Sequence, residues 1–287
     1  MSVPGLSPAR GVGVEASKAV ARLARLPLDM AAEGVGQLTG VLGRALHGRP
    51  EGPADPLPAS SGIPVLLVHG LADGQSVVPP LERELHGDGV GPFVPVACNP
   101  FGPDIRTAAR TLGQQVESAC AGGAGRTAVV IGYSLGGLIA RYYVQRLGGD
   151  AHVPLLITLA TPHGGTATAL LAPAHPLLRQ LRPGSELLTE LGEPAPNCHT
   201  RFVAFYSDLD EAVIPAARGR ISHPDLNARN VLVPGVGHLT LPLHRPVIGE
   251  MRALLAAAQV LFAVCAPDGD SPQPGGPVGR DTDTGFP

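Results

Sequence analysis

An α/β architecture, with a mostly parallel central sheet flanked by helices, is what this sequence predicts. Three observations predict it. Short apolar runs recur from residue 63 onward, helical stretches alternate with them, and the runs stop at glycine or turn residues. The length agrees. A chain of 287 residues with 44% apolar content can bury one sizeable core, with room for an insertion.

The elements are read in chain order. Residues 14–47 carry apolar side chains at helical spacing, Leu38, Val41, Leu42, Ala45 and Leu46 among them. They predict an amphipathic helical segment that packs on the domain. A weak peripheral membrane contact, helped by Arg22, Arg25 and Arg44, is the second reading. A Pro-, Gly- and Ser-rich linker follows, so residues 1–62 form the first unit.

The second unit, residues 63–262, holds the sheet. Ile63–Gly70 reads as a strand apolar enough to be buried on both faces, and Phe93–Cys98, Thr127–Tyr133, Val153–Ala160, Arg201–Tyr206 and Ala228–Val233 read as further strands. Ile105–Cys120, Leu138–Leu147 and Val247–Leu261 read as helices. Residues 162–200 break the alternation. They are Leu-rich and longer than a simple crossover, and predict a helical, lid-like insertion over the C-terminal ends of the strands, where open α/β sheets bind ligands. Residues 263–287 are rich in Asp, Gly, Pro and Thr and predict a disordered tail.

Composition narrows the function. A net charge of −3 and 3% aromatic residues give no basic footprint and no stacking platform, so nucleic acid is not an expected partner. The four cysteines form no CxxC pair and no metal spacing; free thiols are expected, with a disulfide in an exported form as the alternative. No apolar run is long enough to span a bilayer, and the first residues lack a charged region followed by an apolar stretch. A cytoplasmic protein is the expectation, with membrane contact at most peripheral.

The strongest chemical signal is Gly132-Tyr133-Ser134-Leu135-Gly136, followed by Gly137. It fits G-x-S-x-G with a buried strand before it and a helix after it. The turn between them is so tight that the flanking positions must lack a side chain, and the serine is held strained at a helix N-terminus. Such a serine needs a base, and its partners follow in the order acid, then histidine. His238, in a Gly-flanked loop after the last predicted strand, has the right place among ten histidines. The acid comes from the loop after Tyr206. Asp210 is the first choice and Asp208 the alternative, and the remaining carboxylates of that loop are expected to be solvated. The oxyanion donors are the backbone N–H groups of Leu135, next to the nucleophile, and Leu71, after the turn at Gly70. His69 is expected to bond the loop backbone.

Together His69-Gly-Leu, Gly-Tyr-Ser134-Leu-Gly-Gly, Thr161-Pro-His-Gly-Gly-Thr166 and Gly-Val-Gly-His238 resemble the bacterial triacylglycerol lipase and esterase branch of the α/β-hydrolase superfamily, over roughly residues 63–262. The resemblance implies the α/β-hydrolase fold, Ser134, Asp210 and His238 as triad, and Leu71 and Leu135 as oxyanion donors. It implies a serine hydrolase of carboxylic esters in lipid metabolism, with a small-molecule or lipid ester as substrate and no cofactor. A thioesterase, an acyltransferase or a non-catalytic lipid-binding homologue are the alternatives. In that branch the Thr161–Thr166 segment lies near the site and is expected to shape the acyl pocket floor. Some larger lipases bind metal through the equivalent of His163; this chain offers no second ligand, so no metal is expected. Tyr133 and Leu135 flank the serine where many lipases carry His and Met.

Overall fold

The computed structural model describes residues 62–71, 74–87, 90–96, 104–121, 127–171 and 175–265. The amphipathic segment 14–47, its linker, the tail, and the side chains of Cys98 and Cys265 lie outside the described residues.

Six parallel strands form one sheet: β1 (Val65–Val68), β2 (Phe93–Pro95), β3 (Val129–Tyr133), β4 (Leu155–Leu159), β5 (Arg201–Tyr206) and β6 (Asn227–Leu232). Their spatial order is β2-β1-β3-β4-β5-β6. The pairing is in parallel register throughout, with Val68 opposite Gly132 and Tyr133 opposite Leu159. Every pairing is parallel, so the C-terminal ends of all six strands share one edge, and the chain reverses its direction across the sheet only once, after β2.

Strand pleat sorts the side chains to two faces. Leu66, Val68, Val130, Leu156, Phe202 and Ala204 point to one face. There they bury against α2 (Ile105–Ala121) and α3 (Leu135–Arg146). Val65, Leu67, Val129, Ile131, Ile157, Val203 and Phe205 point to the other, against α1 (Gly74–Leu85) and α6 (Arg245–Cys265). The inner strands β1, β3 and β4 are buried throughout, which explains why they read as apolar runs rather than as alternations; the edge strand β6 carries Asn227, Arg229 and Asn230 and is not. Four helices on two faces complete the three layers. Three of them lie where helical spacing predicts. The fourth, α1, hides in the sequence because Pro79 and Pro80 stand inside it. Each removes an N–H donor that a helix interior ordinarily uses.

The insertion is helical only in pieces: a 3-10 turn Ala167–Leu170, α4 (Pro176–Gln180) and α5 (Glu186–Glu190). Its leucines are not a free apolar face. Leu177, Leu178, Leu181, Leu187 and Leu191 are buried in the same core as α2 and α3. Polar bonds fasten the segment to those helices. The Arg106 Nε donates to Glu190 Oε2 at 3.1 Å, and the Tyr142 hydroxyl donates to the same oxygen at 2.9 Å. Arg141 is almost wholly buried. It donates to Gln145 Oε1 (3.0 Å) and to the carbonyls of Leu191 (3.1 Å) and His163 (3.4 Å). Burial, and then the charge of Arg146, lowers its pKa to about 10. The insertion is therefore fastened along α3, and among its described residues Leu170 and Leu171 are the large hydrophobics left exposed.

Candidate active site

Ser134 ends the β3 turn and caps α3 with φ 53° and ψ −120°. That conformation is strained for a residue with a side chain, and survives only where its surroundings over-determine it. Here they do so by exclusion. A β-carbon on Gly132 would lie 2.4 Å from the Gly137 Cα, one on Gly136 would lie 2.2 Å from the Val68 carbonyl oxygen, and one on Gly137 would lie 2.0 Å from the Thr161 Oγ1. Strand β1 and the Thr161 turn are thus pressed against the first turn of α3. The Ser134 N–H completes the fit by donating to the Leu159 carbonyl at 2.8 Å. Leu135 is buried directly behind the serine.

His238 comes from the loop after β6. Its Nε2 stands 3.0 Å from Ser134 Oγ. Its Nδ1 stands 2.9 Å and 3.0 Å from the two carboxylate oxygens of Asp210. With Nδ1–H donating to Asp210, Nε2 is left unprotonated and accepts the serine hydroxyl. Asp210 is in turn fixed by the N–H groups of Ala212 (2.9 Å) and Val213 (2.8 Å), both donating to Oδ1. Burial by itself pulls the imidazole pKa down; the charge of Asp210, its hydrogen bond and the charge of Glu211 outweigh it, and the net shift is upward. The Tyr133 ring lies beside the imidazole, centroids 5.3 Å apart.

The structure separates the carboxylates of the acid loop by role. Asp210 reaches the imidazole. Asp208 does not: its Oδ1 accepts the Gly235 N–H at 2.8 Å. Glu211 Oε2 accepts the His238 backbone N–H at 3.0 Å, and Ser207 Oγ accepts the Val236 N–H at 3.3 Å. Asp208 is exposed, as expected of a solvated carboxylate, and both it and Glu211 in addition hold the histidine loop. No local signal in the sequence announces this, because each partner stands 27 residues away on another loop.

The Thr161–Thr166 segment braces the site. Thr161 meets Gly137, as above. The Thr166 Oγ1 accepts the Ile214 N–H at 3.0 Å and donates to the Ala212 carbonyl at 2.7 Å, which ties the segment to the acid loop. His163 is buried, with Nε2 2.9 Å from the Thr158 hydroxyl. Burial, and then the nearby Arg141 charge, holds its pKa well below the ordinary histidine value, so it is a neutral hydrogen-bonding group. Among the described residues no group of His, Cys, Asp and Glu could hold a metal ion. His69 Nδ1 bonds the Gly70 carbonyl at 2.9 Å, which shapes the turn that delivers Leu71. A β-carbon on Gly70 would lie 3.0 Å from the Ser134 Cβ, so this turn abuts the serine. Cys120 and Cys198 are free thiols.

A strained serine at a helix N-terminus, linked through an imidazole to a carboxylate, is an arrangement built to raise an alcohol's nucleophilicity. Known proteins agree with the fold that carries it. The model of the palmitoyl protein thioesterase family matches residues 64–217, more than half of the chain. The chain belongs to that family. It is thereby a member of the α/β hydrolases of lipase, esterase and thioesterase type. The match spans Ser134 and Asp210 and stops short of His238, whose place is known from the geometry alone.

Solved structures share the fold with the palmitoyl protein thioesterase family member described here. The mature lipase BlEst2 of Bacillus licheniformis superposes with a TM-score of 0.55 at 16% identity, covering 72% of this chain and 96% of that one. Lipase B of Aspergillus fumigatus gives 0.53 at 20% identity, covering 61% of this chain and 47% of that one. A membrane phospholipase A, a bacterial virulence factor, gives 0.50 at 15% identity, with 68% and 79% covered. No curated protein sequence matches the chain.

Proposed function

We propose that the protein is a serine hydrolase that cleaves carboxylic esters with a lipid-like acyl group. Ser134 Oγ attacks the acyl carbonyl while His238 Nε2 takes its proton, and Asp210 holds the imidazole and stabilises the imidazolium. The N–H groups of Leu71 and Leu135 receive the developing oxyanion. The imidazolium returns its proton to the departing alkoxide, which leaves as the alcohol. Water, deprotonated by His238, then attacks the acyl-serine; the acyl–Oγ bond breaks, the imidazolium returns the proton to Ser134 Oγ, and the acid is released. The observation that carries this reading is the unbroken chain from Asp210 through His238 to a Ser134 held at positive φ. A lipid-like acyl group is supported by exposed Leu170 and Leu171. They end a turn that Thr168 ties to the acid loop through the Ala212 carbonyl, at 2.7 Å. The hydrolase unit in this reading is residues 63–262. Among the described residues no helix is long and apolar enough to cross a membrane.

The family match favours a second substrate class, the thioester, on the same serine. A thiolate leaves more readily than an alkoxide and needs less help from the imidazolium, so the two classes are separable by kinetics.

A fluorophosphonate probe tests the nucleophile, and p-nitrophenyl esters and acyl-CoA thioesters of increasing chain length test the substrate. Labelling of the wild type, lost in Ser134→Ala, with turnover that improves with acyl length, is the expected result. A folded wild type that resists the probe would sink the catalytic reading and leave a lipid-binding homologue. A preference for acyl-CoA over the matching ester would move the assignment to thioesterase.

A further inference from the structure

His238 is served by two adjacent carboxylates, and catalysis as proposed above uses only one. Asp210 takes the ring; Glu211 takes the chain. The Glu211 Oε2 lies 3.0 Å from the His238 backbone N–H. The residue before His238 accommodates this approach: a β-carbon on Gly237 would stand 3.2 Å from that same oxygen. Gly237 therefore does more than loosen the loop, since a side chain there would crowd the carboxylate. Glu211 is only half-buried.

The remaining groups around the imidazole come from two elements. From the acid loop come Asp210 at Nδ1, and Asp208, whose charge faces the Gly235 N–H instead. From the end of β3 come Ser134 at Nε2 and the Tyr133 ring, whose hydroxyl faces the His238 carbonyl at 3.5 Å. Glu211 thus stands beside Asp210 as a second negative group directly bonded to His238.

We propose that Glu211 is a positioning residue for His238, its carboxylate fastening the backbone of the residue that carries the general base and favouring the imidazolium formed in the transition state. The inference rests on the serine-hydrolase reading. It assigns Glu211 a double duty that Asp208 lacks: both restrain the loop, but only Glu211 has its charge against the histidine itself.

The test compares Glu211→Ala, Glu211→Gln and Asp208→Ala with wild type, in pH profiles of kcat/KM on a p-nitrophenyl ester and in fluorophosphonate labelling. Glutamine keeps an oxygen that accepts the N–H and loses only the charge. Glu211→Ala is expected to lose about tenfold in kcat with KM little changed, as a displaced base would. Glu211→Gln is expected to recover most of that loss. In both, the acidic limb moves to lower pH by about half a unit, because removing a negative neighbour makes the imidazolium easier to deprotonate. In Asp208→Ala the limb stays where it is. An unmoved limb in Glu211→Gln overturns the assignment, whatever kcat does, and this holds even if Glu211→Ala fails to fold. Wild type that resists the probe sinks the serine-hydrolase reading itself; wild type that labels beside variants with an unmoved limb sinks only the role of Glu211.

Discussion

The Ser134 turn and the histidine loop deliver two halves of one site, and they are held by opposite means. Residues 132–137 are fixed by what is absent: three glycines whose missing β-carbons let β1, the Thr161 turn and α3 close to contact. Residues 235–238 are fixed by what is present: Ser207, Asp208 and Glu211 each accept one backbone N–H. The first restraint is steric and all-or-none. The second is a set of separate hydrogen bonds, each worth about 1 kcal/mol net, so it loosens by degrees.

The largest effect that would break the comparison falls on the acid that joins the two halves. Asp210→Asn should cost about 10⁴ in kcat, since the amide no longer fixes the imidazole tautomer. Asp208→Ala should cost less than about tenfold, since it releases one bond at Gly235. Steady-state kinetics on both variants decides it; equal losses would mean that the loop bond, not the imidazole contact, governs the base. Next comes the steric half. In an ordinary helix Gly→Ala stabilises by about 1 kcal/mol. At Gly136 the sign should reverse, with a loss of about 3 kcal/mol or no folded protein, because the new methyl meets the Val68 carbonyl. Thermal unfolding measures it, and a rise in Tm would refute close packing at the turn. The smallest effect sharpens the electrostatic half. The reaction needs neutral His238, and its pKa is raised. Activity should therefore fall as pH drops through a value above the ordinary histidine figure of about 6.5, with the neutral fraction lost below it. A limb below 6.5 in wild-type kcat/KM would contradict the balance of Asp210 and Glu211 over burial.

Much of this molecule is legible along the chain. The inner strands β1, β3 and β4 read correctly because each is a buried apolar run feeding both faces of the sheet, whereas the edge strand β6 reads in spite of Arg229 and Asn230. The serine reads because its requirement is local: strand, turn and helix are contiguous, and the glycines that permit the turn sit within three residues of it. His238 and Asp210 read less directly, through chain order after the last strands. The failures share one cause. Helix α1 contradicts local propensity through Pro79 and Pro80, and tertiary packing of Val77, Val78, Leu81 and Leu85 overrides it. The insertion shows leucines to a sequence reader, and only the fold tells whether they face α2 and α3 or a substrate.

The sequence by itself determined the sheet and the strained turn at Ser134, because those depend on hydrophobic period and on sterics between near neighbours. Tertiary structure alone decided which acid of Asp208, Asp210 and Glu211 faces the imidazole and which two face the chain. Those choices depend on how two loops at one sheet edge come into register. A shift of one residue in either loop would exchange the partners while leaving every local pattern intact.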